Sequence, residues 1–113
     1  MYKILVIEDE KKIAEWFADE FRELGHEVQT AYSGEQALEI CAKQDFDFIF
    51  TDYNLGGKIT GIDVANALTE SGKSPRIILV TASITAKVWA GSNIMKIFNK
   101  PVLPKTLARV LKE

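Results

Sequence analysis

The sequence holds a single cysteine, Cys41, and a single histidine, His26, in 113 residues. One thiol cannot close an internal disulfide, and no Cys and His cluster offers zinc-ligand spacing. A packed core must therefore hold the chain together, and a reducing, cytoplasmic setting is expected. With only three prolines and seven glycines, no linker, repeat or low-complexity tract interrupts it. One domain over residues 1–113 is expected, with no effector domain. Neither sign of charge dominates: the net charge is -2, and the basic residues are scattered. Direct binding of nucleic acid by this chain is not expected. Long apolar runs are also missing. None approaches the roughly 20 residues needed to span a membrane, and Met1-Tyr2-Lys3 followed by Ile4 to Ile7 is too short for a signal peptide.

What the chain does have is a hydrophobic share of 47% whose period keeps changing. Short apolar runs rich in β-branched or aromatic residues, at Ile4 to Ile7, Phe46 to Thr51, Ile77 to Val80 and Ile94 to Phe98, suit strands buried on both faces. Val28 to Ala31 makes a weaker strand. Ile13, Trp16, Phe17, Phe21 and Leu24 recur at helical spacing and predict a first helix with Trp16 in the core and Gly25 as C-cap. Ser33 and Gln36 resemble a capping box opening a second helix, with Ala37, Leu38 and Cys41 inward. A third helix is expected over about 61–71 with Ile62, Ala65 and Leu68 inward, broken by Gly72 to Pro75. A short fourth is expected over about Thr85 to Ala90. The fifth carries Leu103, Leu107, Val110 and Leu111 inward, with Pro104 in its first turn.

Strand and helix thus alternate five times. The expected fold is α/β, a doubly wound five-stranded parallel sheet with helices on both faces and flavodoxin-like strand order 2-1-3-4-5. Ligands of such sheets bind outside the carboxyl ends of the strands, beside the switch point between strands one and three. Glu8 and Asp9 leave strand one, Asp52 strand three, Thr81 strand four and Lys100 strand five. Two carboxylates about 4 Å apart repel by about 4 kcal/mol at an effective dielectric of 20. Mg²⁺, which accepts one or two carboxylates and keeps positions for water and phosphate oxygens, would relieve that repulsion. Lys100 and Thr81 could hold the remaining phosphoryl oxygens while a carboxylate acts as nucleophile.

Four segments, Val6-Ile7-Glu8-Asp9-Glu10, Phe50-Thr51-Asp52-Tyr53-Asn54-Leu55, Val80-Thr81-Ala82-Ser83 and Asn99-Lys100-Pro101, together resemble the receiver domain of two-component response regulators. The resemblance covers the whole chain. It implies that Asp52 takes a phosphoryl group from a sensor histidine kinase or a histidine phosphotransfer protein, and that Glu8, Asp9, Asp52 and the backbone carbonyl of Asn54 hold Mg²⁺. It further implies that Thr81 reports phosphorylation, that Lys100 pairs with the phosphoryl group, and that Lys100-Pro101 is a cis peptide. Such a domain is a switch, free-standing or part of a larger protein such as a hybrid sensor kinase. It is not an enzyme beyond its own phosphorylation and dephosphorylation.

The chain departs from that family's pattern in places. Ile97 stands where the family commonly has an aromatic, the segment from Thr81 to Lys100 is a few residues short, and the loop Leu55 to Thr60 is slightly long. An alternative class, a Mg²⁺-dependent phosphohydrolase with an aspartyl-phosphate intermediate, wants a second aspartate where this chain has Asn54. A flavin binder would want a Ser, Thr and Gly-rich loop in place of Glu8-Asp9-Glu10, whose charge would repel the phosphate. Read as structure, Asp9 and Glu10 favour a helix start, His26 sits in a turn after a helix cap, and Cys41 belongs to the core. Trp89 either caps the core or anchors a partner.

Overall fold

A computed structural model describes residues 1–82 and 93–113. Its elements run β1 (Lys3–Ile7), α1 (Lys11–Glu23), β2 (Glu27–Ala31), α2 (Gly34–Lys43), β3 (Phe48–Thr51), α3 (Gly61–Glu70), β4 (Arg76–Thr81), β5 (Ile94–Asn99) and α4 (Pro104–Ala108). A 3-10 turn, Arg109–Lys112, continues the last helix. The expected short helix over Thr85 to Ala90, with Ser83 and Trp89, lies outside the described residues.

All five strands are parallel and ordered β2-β1-β3-β4-β5. Because successive side chains alternate faces, the solid apolar runs feed two cores at once. Ile4, Val6, Phe48, Phe50, Ile78 and Val80 pack with Phe17 and Phe21 of α1 and Leu107 of α4. Leu5, Ile7, Ile49 and Ile77 pack with Ala37 and Cys41 of α2 and Val64, Ala65 and Leu68 of α3. Helices therefore cover both faces, and each side of the sheet has its own apolar layer.

Helix ends follow local chemistry. After α1, Gly25 takes φ +93°; its N–H reaches the Arg22 carbonyl, and that of His26 reaches Phe21. This pair of bonds satisfies otherwise orphaned carbonyls, and the left-handed residue suits glycine. Ser33 caps α2 by accepting from the Gln36 N–H, while the Gln36 side chain accepts from Tyr32 N–H at 2.8 Å instead of completing the box. The full capping box belongs to α3, where Thr60 and Asp63 exchange both bonds.

Packing expectations in three helices need correction. Trp16 is 52% exposed, because the buried stripe of α1 is Ala14, Phe17, Ala18 and Phe21. Two neighbouring stripes share three- and four-residue spacing, and the small alanines mark where the helix approaches the sheet. Leu24, which shared the stripe of Trp16, is likewise exposed. Leu103 precedes α4 as its N-cap and is exposed, leaving Leu107, Val110 and Leu111 to fill the core. In α3 the inward set is Val64, Ala65 and Leu68, with Ile62 only partly buried.

Candidate functional site

Backbone bonds continue the ladder past the strand ends, tying the exits of β1, β2 and β3 to one another and that of β5 to β4. Glu8 N–H donates to Ala31 C=O at 3.0 Å, Asp52 N–H to Ile7 C=O at 3.1 Å, and Lys100 N–H to Thr81 C=O at 2.9 Å. Residues distant in sequence thus leave the sheet at one level. Behind Asp52 the chain turns tightly into α3. Gly61 N–H donates to Tyr53 C=O at 2.9 Å, and a Cβ on Gly61 would lie 2.2 Å from the Asp52 carbonyl oxygen. Only glycine allows that approach. Asn54 N–H adds a bond to Asp52 Oδ1 at 3.3 Å.

Oxygen atoms of Glu8, Asp9 and Asp52 lie within 4.8 Å of one another. The Lys100 ammonium donates to Glu8 Oε1 at 2.5 Å and to Asp52 Oδ2 at 2.8 Å. Among the described residues one ammonium thus bonds two of the three carboxylates, and Asp9 is exposed. Glu8 is 3% exposed, and its Oε2 is buried without a hydrogen-bond partner among the described residues. Burial pushes the Glu8 carboxyl up to about 7; Lys100 opposes this, while Asp9 and the charge of Asp52 add to it. Burial disfavours the Lys100 ammonium, but its bonds to Asp52 and Glu8 outweigh that and raise its pKa above the usual value.

A buried carboxylate oxygen with no partner is costly. Three carboxylates converging on it form the oxygen-only donor set that suits Mg²⁺, so the residues present fit that ion.

The structure brings Glu8, Asp9, Asp52 and Lys100 together. Thr81 is buried at the end of β4, opposite Asn99 of β5. Asn54 sits two residues beyond Asp52, its side-chain Oδ1 accepting from Gly56 N–H at 3.2 Å. Lys100-Pro101 is cis, as the resemblance implied. Glu10 occupies the N-cap position of α1 without a side-chain cap bond, Asp9 precedes it, and α1 has no acidic residue in its first turn. His26 lies at the opposite end of the sheet, where its Nδ1 accepts from Tyr2 N–H, and Cys41 is core. Sequence reasoning missed the close approach at Gly61, although Thr60-Gly61-Ile62-Asp63 carried the capping signal that fixes the helix start there.

A family model for the response regulator receiver domain matches residues 4–112. The transcriptional regulatory protein CutR of Streptomyces coelicolor is 33% identical over 81 residues, 72% of this chain and 37% of CutR. Response regulator ArlR of Staphylococcus saprophyticus is 30% identical over 91 residues, 80% of this chain and 41% of ArlR. The chain therefore spans about two fifths of the length of these curated relatives. Chemotaxis protein CheY4 of Vibrio cholerae superposes with TM-score 0.89 at 26% identity, covering 99% of this chain and 97% of that one. TrrA of Thermotoga maritima, solved in complex with Mg²⁺-BeF, superposes with TM-score 0.82 at 29% identity and the same coverage. With that breadth of match on this fold, the chain belongs to the response regulator receiver domains of two-component systems.

Proposed function

We propose that Asp52 is a phosphoacceptor and that residues 1–113 form one cytoplasmic receiver domain serving a two-component phosphorelay. The observation that carries this is the pair of bonds from the Lys100 ammonium to Asp52 and Glu8, beside a buried Glu8 oxygen with no partner among the described residues. Glu8, Asp9, Asp52 and the Asn54 carbonyl hold Mg²⁺. When bound, that ion screens the carboxylates and offsets charge on the transferring phosphoryl group. The Mg²⁺-BeF complex of TrrA supports this expectation.

The donor is a phosphohistidine on a sensor kinase or a phosphotransfer protein. An Asp52 carboxylate oxygen bonds to phosphorus as the phosphorus–nitrogen bond breaks, and the electron pair leaves with the imidazole. Lys100 then pairs with a phosphoryl oxygen, giving up its present bond to Asp52 Oδ2, and the Thr81 hydroxyl turns toward another. The signal leaves through β5 and α4. Ile97, in register with Leu79 of β4, acts there by shape where the family commonly uses a ring. The net charge of -2 gives the chain itself no footprint for DNA, so its output is a downstream protein or another part of a longer polypeptide. The phosphohydrolase alternative is not carried forward, because Asn54 offers an amide where that chemistry wants an acid.

Incubation with Mg²⁺ and a small phosphodonor followed by intact-mass measurement tests the assignment. One acid-labile phosphoryl adduct is expected on the wild type and none on Asp52→Asn, with amide shifts along β5 moving only in the wild type. An adduct that persists in the variant refutes Asp52 as acceptor, and unmoved β5 shifts refute the output route.

A further inference from the structure

The loop that would supply the Asn54 carbonyl is held from a second helix. Between Asp52 and α3 the chain anchors Leu55 in the α2–α3 core, and Ile59 packs partly buried against the same core. Gly56, Gly57 and Lys58 between them are exposed. A Cβ on Gly56 would lie 3.2 Å from Asp9 Oδ2, so the loop also passes directly over the acidic cluster. Its far end is fixed by the Thr60–Asp63 capping box.

Gly34, the first residue of α2, is where this loop meets its neighbour. A Cβ there would stand 2.5 Å from Ile59 Cγ2, 2.8 Å from Ile59 Cβ and 3.3 Å from the Ile59 carbonyl oxygen. The second of these contacts matters most. A side chain can rotate its Cγ2 away, but its Cβ is fixed to the backbone, so a methyl group at position 34 must displace the loop itself. Carbon atoms make good contact at about 3.5–4.0 Å, which asks for a movement of roughly 1 Å. The helix is the worse candidate to move, since Ser33 caps it and Ala37 and Cys41 seat it in the core.

We infer that the Gly34–Ile59 contact is a positioning device by which α2 sets the Mg²⁺ affinity of the phosphorylation site. Ile59 is the positioning residue and acts through the loop that carries Asn54. The inference rests on the proposed Mg²⁺ site. Displacements near 1 Å remote from the chemistry cost up to about a hundredfold, and loss of supporting contacts around a metal site weakens binding by about 10–100-fold.

The test is calorimetric titration of the whole chain with Mg²⁺ as a double-mutant cycle over Gly34→Ala and Ile59→Gly, beside melting temperatures in metal-free buffer. Gly34→Ala is expected to weaken Mg²⁺ binding about tenfold. Its melting temperature should change little, because alanine is the better helix former. In the Ile59→Gly background, where both crowding side-chain atoms are gone, the same Gly34→Ala change is expected to cost less than about twofold, and this difference is the coupling. Equal costs in the two backgrounds overturn the inference, as does wild-type affinity in Gly34→Ala. If Gly34→Ala does not fold, Ile59→Gly alone decides: weakened binding supports the role of Ile59 and unchanged binding refutes it. A wild-type chain that takes up no Mg²⁺ defeats the proposed function as well, whereas wild-type uptake with no effect at Gly34 defeats only the positioning role.

Discussion

The two ends of the sheet are built from the same polar groups and use them oppositely. At the amino ends of the strands polar groups meet in matched pairs. Lys3 N–H donates to Asp47 Oδ2 at 2.7 Å, Asp47 N–H returns a bond to the Lys3 carbonyl at 2.8 Å, and Arg76 N–H reaches the Asp47 carbonyl at 3.0 Å. Tyr2 N–H is received by His26 Nδ1 at 3.0 Å, and Lys73 pairs with Asp45 at 2.6 Å. At the carboxyl ends, among the described residues, three carboxylates cluster, two of them on the Lys100 ammonium, and a buried Glu8 oxygen goes without a partner. One end spends its polar groups on closing the fold. The other holds them mismatched, as expected where binding an ion and a phosphoryl group completes the pairing.

The largest expected effect comes from taking away the Lys100 ammonium. Lys100→Met takes from buried Glu8 and half-buried Asp52 the ammonium that both accept from, and breaking such a pair costs about 3–5 kcal/mol. Urea unfolding in metal-free buffer at pH 8 is expected to show a loss of that order. A loss below about 1 kcal/mol would mean that the ammonium is not what balances this end.

Next comes Glu8, whose folded pKa of about 7 stands above the usual 4.5. Between those values the folded chain keeps a proton that the unfolded chain has released, so stability falls as pH rises from 4.5 to about 7 and levels off above it. At about 1.4 kcal/mol per pH unit, the fall has a ceiling of about 3 kcal/mol. In metal-free buffer Glu8→Gln is expected to abolish the fall and to be more stable than the wild type at pH 8. If the slope survives in the variant, another group is its source.

Legibility in the sequence followed the same division. The strand ends could be read because solid apolar runs stop at Glu8, Asp52, Thr81 and Lys100, and parallel topology alone then gathers them. The alternation of strand and helix made the observed order β2-β1-β3-β4-β5 the leading expectation. What the sequence hid was contact between residues of unremarkable type. Nothing in Gly34 or Ile59 marks them as neighbours, because close approach is a property of two backbones and not of either pattern. Trp16 failed for a related reason: spacing defines a stripe only to within a neighbouring row, and the rows are told apart by which side chains are small enough to touch the sheet. Asp47 and His26 were illegible as fasteners, since their partners are backbone N–H groups, which every residue carries.

The smallest effect tests the matched end and should have the opposite sign. Burial first, and then the positive charge of the N-terminus, lowers the His26 pKa below its usual 6.5. Its Nδ1 accepts from Tyr2 N–H, and its ring stacks on Tyr2 at 5.4 Å, so a proton on that nitrogen displaces the bond. Between the lowered value and 6.5 the unfolded chain binds the proton that the fold refuses. The stabilisation is therefore present above pH 6.5 and is lost as pH falls through that window. One backbone bond is at stake, so the change is on the order of 1 kcal/mol or less. Measured in the Glu8→Gln background, which removes the larger opposing slope, stability should rise with pH around 6. Adding His26→Asn keeps an acceptor near the Nδ1 position without a titrating proton, and should flatten the curve while leaving stability at pH 7.5 nearly unchanged. If instead the curve keeps its rise, the amino end titrates through a group other than His26, and the contrast between a matched and a mismatched end loses its simplest measure.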